Sequence, residues 1–179
     1  MSQNSKADKK AAQVAELKRI IDTKNYIFKA NTALPTPIPG VQISGGNMGP
    51  NSIANQINSG MINLTSSYDV KVTNDTLSAF LPYYGQAFSA PYNNTTDGGI
   101  NFTSKKFDYK VTKKKNGTFE ILIKPQDLTA RAPSDVQRMV LTVSEGGWAS
   151  LQIILVTRQR ISFSGTVEEL KPQQATAKS

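Results

Sequence analysis

The sequence predicts a mainly β protein: an antiparallel curved sheet or partly closed barrel of seven to eight strands, with one N-terminal helix packed against it. Three observations carry that expectation. From Asn25 onward, stretch after stretch alternates apolar with polar residues, the period of a strand with one buried face. The breaks between stretches are short and of hairpin type, clearest at Asn116-Gly117 and Glu145-Gly146-Gly147. Only one stretch, near the N-terminus, follows the helical period instead.

At 179 residues the chain has the length of one domain, able to bury roughly 70% of the surface exposed when unfolded. Residues 1–6 read as a disordered tail, 7–170 as the single domain, and 171–179 as a polar C-terminal tail. The helix is expected over 7–22. Ala11, Val14, Leu17 and Ile21 recur at three- and four-residue spacing and Ile20 widens the stripe, with Lys9, Lys10, Gln13, Glu16 and Lys18 opposite. A membrane-surface helix would want aromatic anchors, which this stripe lacks.

The first strand begins at Asn25, where Tyr26, Phe28 and Ala30 alternate with Ile27, Lys29 and Asn31. Leu34-Pro-Thr-Pro-Ile-Pro-Gly40 then breaks any ladder, because proline donates no backbone hydrogen bond. Residues 41–60, rich in Gly, Asn and Ser, read as a long loop with at most a short strand near Val41–Ile43. Loops of that length in a compact domain are functional or mobile. Alternation resumes at Tyr68, Val70 and Val72, turns at Asn74-Asp75, and continues through Leu77, Ala79 and Leu81. Phe107, Tyr109 and Val111 face the core from one arm of the Asn116-Gly117 hairpin; Phe119, Ile121 and Ile123 do so from the other. Val136–Ser144 and Trp148–Val156 form the next hairpin. Leu151–Val156 is apolar at every position but Gln152, which predicts a central strand covered on both sides. Ile161, Phe163, Gly165 and Val167 mark a half-buried last strand.

Composition removes several kinds of chemistry. The chain has no cysteine and no histidine, so disulfides, thiolate nucleophiles, sulfur-ligated zinc and histidine-based triads are all excluded. An enzyme would have to work with carboxylates, lysine, tyrosine or a serine–lysine pair. No catalytic, cofactor-binding or metal-ligating residue is assigned. Asn93-Asn-Thr-Thr-Asp-Gly-Gly99 is rich in oxygen but offers one carboxylate where a calcium loop gathers several, so it reads as a polar turn. Glu168 and Glu169 are adjacent on a strand and point to opposite faces, which prevents their acting together as acid and base. No run of 18 apolar residues occurs, and the first ten residues lack the apolar core of a signal peptide.

The net charge of +8 is unevenly distributed. Residues 105–124 hold seven lysines against Asp108 and Glu120, whereas residues 25–104 hold two lysines against three aspartates. Lys105, Lys106, Lys110, Lys113, Lys114 and Lys115 form a candidate patch for an anionic partner. Lysines along a strand and its turn also protect a sheet edge from aggregation, and that is the reading adopted here. The aromatic partners that nucleic acid would need, Phe107 and Tyr109, sit in the core phase, so nucleic acid ranks last among partners.

A second candidate is Leu81-Pro-Tyr-Tyr-Gly-Gln-Ala-Phe-Ser-Ala-Pro-Tyr92, uncharged, aromatic and fixed by glycine and proline. Tyr83, Tyr84, Gly85, Phe88, Pro91 and Tyr92 make up a candidate binding surface, since tyrosine supplies large amphipathic contact area at low entropic cost. The plain alternative is that these rings cap one end of the β structure.

With those residues in view, the chain resembles the domain-of-unknown-function family 4251 of Bacteroidetes. The likeness rests on Lys24-Asn-Tyr-Ile-Phe-Lys-Ala30, Tyr68-Asp-Val-Lys-Val72, Leu81-Pro-Tyr-Tyr-Gly85, Phe88-Ser-Ala-Pro-Tyr92, Gly98-Gly-Ile-Asn-Phe102 and Arg158-Gln-Arg-Ile-Ser-Phe-Ser-Gly165, in order across residues 10–168. Gln86 stands where that family's pattern leads one to expect a basic residue. The resemblance implies a small protein exported past the inner membrane, often as a lipoprotein, with the leader absent from this sequence. It implies no activity, ligand or catalytic residue. The functional expectation is a non-catalytic binding or structural module of the periplasm or cell surface, presenting its aromatic surface to a glycan, peptide or envelope protein. The membrane would be reached only through a lipid anchor outside this sequence, and no cofactor is expected. Alternatives are a carrier of a small apolar ligand inside the curved sheet and, behind it, a carboxylate hydrolase.

Overall fold

The computed structural model describes residues 3–37, 53–88, 98–129 and 134–172. Helix α1 spans Gln3–Asp22 and a short helix α2 spans Ile53–Ser59. Nine strands follow in chain order: β1 Tyr26–Pro35, β2 Ile62–Val72, β3 Leu77–Leu81, β4 Ile100–Ser104, β5 Phe107–Lys113, β6 Phe119–Pro125, β7 Val136–Val143, β8 Trp148–Leu155 and β9 Ile161–Glu169. All pair antiparallel in one sheet of order β4-β3-β2-β1-β9-β8-β7-β6-β5. Consecutive strands therefore pair, except β4 with β5, and the first strand pairs with the last. The sheet rolls into a nearly closed barrel, and its unpaired junction falls between β4 and β5, which are consecutive in the chain.

Alternation explains the core. Tyr26, Phe28, Val70, Val72, Leu77, Leu81, Ile100, Phe119, Ile121, Ile123, Met139, Leu141, Leu151, Ile153, Ile161 and Phe163 all point inward and are buried. They form one continuous apolar cluster. The one-sided pattern was legible from period 2 alone.

Several expectations are corrected. There are nine strands, not seven to eight. The strand missed is β4, whose five residues carry only two inward apolar side chains, Ile100 and Phe102, too few to display a period. The 41–60 stretch is not loop throughout: α2 occupies its last third, and β2 starts at Ile62 rather than Tyr68. Residues 41–52, with the short strand near Val41–Ile43, lie outside the described residues. Pro35 ends β1 inside the ladder, opposite Ile161, a strand-end position where proline is tolerated. Strand β8 is covered on one side only, for Ile154 is half-buried and Val156 beyond it exposed. An apolar outward residue on a barrel strand mimics the sequence of a strand buried twice.

Helix α1 begins at Gln3, inside the stretch read as a tail, and only its C-terminal end docks. Leu17, Ile20 and Ile21 are buried, whereas Ala11 is exposed. The helix stops in a Schellman turn: Asn25 N–H donates to Ile20 C=O (3.0 Å), Lys24 N–H to Ile21 C=O (3.2 Å), and Lys24 takes φ 50°. Tyr109 on β5 donates its hydroxyl to the Ile21 carbonyl (2.9 Å) and lies 3.2 Å from the Tyr26 hydroxyl. The Lys24 ammonium sits over the Tyr109 and Phe107 rings, at 5.2 and 5.9 Å from their centroids. Burial pushes the Tyr109 hydroxyl up to about 12 and that of Tyr26 well above its ordinary value. Helix and edge strand are thereby pinned beside the junction.

At the junction Ser104 is buried. Its hydroxyl meets the Asp127 carboxylate and the Lys106 carbonyl (2.9 Å), while Lys105 N–H donates to Asp127 (2.8 Å). Hydrogen bonds from Ser104 and the backbone hold the Asp127 carboxyl below the usual carboxylate range. At the opposite side of the barrel β1 and β9 approach very closely. A register shift between Ala30 and Thr32 bends β1 at that point, and a Cβ on Gly165 would lie 1.9 Å from the Lys29 carbonyl oxygen.

Candidate functional site

The segment after β3 is built around a buried ion pair. Asp135, just before β7, is fully buried, and Arg158, between β8 and β9, is 5% exposed. Arg158 Nη2 donates to Asp135 Oδ1 at 2.6 Å, and Nε lies 3.2 Å from both carboxylate oxygens. Nη1 donates to the carbonyls of Gly98 (2.7 Å) and Gly99 (3.2 Å), ahead of β4. Thr157 completes the carboxylate through its hydroxyl, 2.6 Å from Oδ2. Burial alone would raise the Asp135 pKa; the hydrogen bonds from Arg158 and Thr157, with the guanidinium charge, outweigh it and leave the group below the usual range.

Tyr83 lies across this pair, its ring 4.5 Å from the Arg158 guanidinium carbon. Its hydroxyl is shared between the carbonyls of Gln159 (2.8 Å) and Gln86 (3.0 Å). Burial drives that hydroxyl up to about 12 against the opposing charge of Arg158. Gly85 is required by the same packing, since a Cβ there would come within 2.6 Å of the Tyr83 oxygen. Two backbone bonds then tie the segment to the β8–β9 connection: Gln159 N–H to Gln86 C=O and Phe88 N–H to Thr157 C=O, both 2.8 Å. Ala87 bridges Arg158 between them. The segment thus runs as a short added ladder on the barrel rim.

The predicted surface divides along this line. Tyr83 and Gly85 serve the packing. Tyr84 is half-buried, and Phe88, with its backbone clamped, leaves its ring 70% exposed. Pro91 and Tyr92 lie outside the described residues, as do residues 93–97 of the oxygen-rich turn.

Two residues absent from the sequence-based set join Tyr84. Tyr68 of β2 and Phe80 of β3 stack with centroids 5.6 Å apart and planes inclined by 25°. Phe80 is 53% exposed. It was legible: Leu77, Ala79 and Leu81 occupy the inward phase, so a phenylalanine between them must face solvent. Tyr68 and Tyr84, with Gln56 of α2 and Ile62, Asn63, Leu64 and Thr65 of β2, line a recess of about 260 Å³. Burial, with Tyr68 close by, raises the Tyr84 hydroxyl above its ordinary pKa. Among the described residues, none of the seven that line it is charged.

A larger groove of about 440 Å³ runs between α1 and the β7–β8 turn, floored by Ala12, Leu17, Ile20 and Val167. Four carboxylates rim it, and each has a cation beside it: Glu16 and Glu169 share Arg19, Glu168 meets Lys29, and Glu145 meets Lys10. Arg19 holds Glu16 below the usual range. A carboxyl so held is a poor proton donor, unlike the acid a glycosidase requires. Glu168 and Glu169 bind different partners, although both border this groove.

The candidate lysines follow the unpaired edge. Lys110 and Lys113 are exposed on β5, Lys105 and Lys106 precede it, and Lys114 and Lys115 follow. Lys105 donates to the Thr76 hydroxyl (2.8 Å), Lys114 pairs with Glu120 (3.1 Å), and Lys113 sits over the Phe119 ring at 5.7 Å. Spread along a strand with no second neighbour, they match the protection of an edge.

Comparison with known proteins finds a match to the family model described as "Domain of unknown function (DUF4251)" over residues 8–167. Among solved structures, the chain is similar to a DUF4251 family protein from Bacteroides eggerthii DSM 20697, with a TM-score of 0.55 and 15% identity over 89% of this chain and 91% of that one. At that identity the likeness concerns the fold. No curated protein matches.

Proposed function

The chain belongs to the DUF4251 family, and from that premise we propose that it is a non-catalytic binding module of the cell envelope, holding an aromatic surface on a rigid barrel rim. One observation carries the reading: Phe88 is fixed through its own backbone amide to Thr157, yet its ring is left in solvent. Burying such a ring would gain about 1.5–3 kcal/mol. A chain that clamps the backbone and leaves the ring out has pre-ordered a contact residue, which lowers the entropic cost of binding. The half-buried Tyr84 and the Tyr68–Phe80 stack are further aromatic residues partly open to solvent. Against the carrier alternative stands the barrel interior, where Phe28, Phe119, Phe163, Met139 and Leu141 are fully buried within one cluster.

Location in the envelope is part of the proposal and rests on the family resemblance. The test is retention of the purified chain on isolated cell envelopes that lack their own copy. The wild type should sediment with them, and Phe88→Ala should remain in the supernatant with an unchanged melting temperature, its side chain being exposed. Equal sedimentation of the two would refute the reading. A tagged copy of the full gene product recovered from the cytosol would refute the location.

A further inference from the structure

We propose that the outer edge of β5 takes up an extended acidic peptide of a partner protein as an added strand of the sheet. This surface is separate from the aromatic rim: Phe88 is tied to the β8–β9 connection, and β6 and β7 stand between β8 and β5. Backbone, side chains and charge each point to that occupant.

The register of the β5–β6 hairpin decides which backbone groups are already used. Gln126 N–H donates to Lys106 C=O (2.7 Å) and Lys114 N–H to Thr118 C=O (2.8 Å), at the two ends of a pairing that runs from Phe107 opposite Pro125 to Lys113 opposite Phe119. Bonded and non-bonded positions alternate along an antiparallel pair, so Asp108, Lys110 and Thr112 bond to β6 as Lys106 and Lys114 do. Phe107, Tyr109, Val111 and Lys113 turn their N–H and C=O groups to the other side, where β5 ends the sheet. No described residue pairs with that side, and β4 leaves the Ser104–Lys106 corner without joining β5. Main-chain groups set out in this way are what a peptide pairs with when it adds to a sheet edge.

The side chains tell the same story. Among the described strands, β5 alone has no buried residue. Phe107, Tyr109 and Val111 remain half-buried even with the Lys24 ammonium over the first two rings, whereas Ile121 and Ile123 opposite them on β6 are buried. Apolar residues at alternate positions of an added strand would cover that inner side. On the outer face Lys110 is exposed, flanked by the exposed Lys105 and Lys106 before the strand and Lys115 after it. Asp108, the one acid of β5, is held by the Gln126 amide (2.6 Å). The residues outside the described part add a single acidic side chain, Asp97, so the positive balance here is a property of the chain. A second copy fits poorly, because full antiparallel overlap of β5 with itself sets Lys110 against Lys110, and like charges directly opposite destabilise a sheet. The lysines that repel another basic edge admit a segment alternating apolar and acidic residues.

The experiment is amide NMR of the full chain titrated with a capped heptapeptide that alternates valine and glutamate. The inference expects shifts and slowed hydrogen exchange at the Tyr109, Val111 and Lys113 amides. Two further forms of the peptide carry N-methyl groups, one on the valines and one on the glutamates; at least one of them should lose binding, since a strand pairs through alternate amides. Lys110→Glu should weaken the valine–glutamate peptide by about tenfold and strengthen a valine–lysine peptide. Its melting temperature should be unchanged, the side chain being exposed. Phe88→Ala should bind the peptide as the wild type does, so this inference and the rim reading fail separately. Peptide that leaves the three amides unshifted or unprotected overturns the inference. So does equal binding by both N-methylated forms, which would reduce the contact to charge. Protection of the same amides that grows with protein concentration in the absence of peptide would assign the edge to a second copy and overturn it as well.

Discussion

Gly165→Ala is the sharpest test of how the barrel is closed. The first and last strands meet at Ala30 opposite Gly165, and the added Cβ would sit 1.9 Å from the Lys29 carbonyl oxygen and 2.8 Å from its carbon. Ordinary contact begins near 3.4 Å, so β1 and β9 must separate by about 1.5 Å, the difference between the two distances. Such a displacement stretches a ladder bond of about 2.9 Å beyond hydrogen-bonding range. Two or three neighbouring bonds around Thr166 and Ser164 would weaken together, at about 1 kcal/mol each. With local overpacking of similar size, the loss is about 3 kcal/mol. For a domain of this length that lowers the melting temperature by about 6–12 °C. Thermal and urea unfolding followed by circular dichroism would read it, with Gly98→Ala as control because its Cβ would meet nothing within 4 Å. A shift smaller than about 2 °C would refute the claim that the strands are in backbone contact there.

Three further outcomes follow from the rim and the helix. Asp135→Ala should destabilise by about 3–5 kcal/mol in urea titration, because it strands a buried guanidinium, whereas Asp135→Leu/Arg158→Met should recover most of that loss. The Asp135 pKa is lower in the folded than in the unfolded state. Its stabilising contribution is therefore present above the unfolded value near 4 and disappears as pH falls through the folded one; melting curves of wild type and Asp135→Asn should converge in that acid window. Tyr109→Phe removes the hydroxyl that ties the Ile21 carbonyl to β5. It should cost about 1 kcal/mol, a drop of about 2–4 °C in a thermal melt.

Most of the barrel could be read from residues because each strand buries one face, so period 2 survives even at half-buried β5, where Phe107, Tyr109 and Val111 keep their phase. β4 escaped because only Ile100 and Phe102 mark its inward phase, whereas the equally short β3 has three apolar residues there. α2 escaped because Asn55, Asn58 and Ser59 carry the composition of a loop, and tertiary contact overrides that propensity. At the rim, Tyr83, Tyr84, Gly85 and Phe88 were found through their aromatic, glycine-fixed composition. Their division between packing and exposure was not legible, because it depends on Arg158, seventy or more positions away from them in the chain. The Asp135–Arg158 pair gives no sequence signal, as its members meet only when the ends of β7 and β8 are brought together. Phe80 was available from its phase and was overlooked in favour of the proline-marked segment.

Closing a barrel by joining its termini has a consequence for how the chain is made. Lys29 meets Glu168 across 139 positions, so as synthesis proceeds one flank of β1 stays without its mate until β9 has emerged. Contacts of such long sequence separation form slowly, and an orphan strand edge invites intermolecular pairing meanwhile. A ribosome-bound intermediate ending before Ile161 should thus be sticky and protease-sensitive, then become resistant within the last nine residues of strand formation.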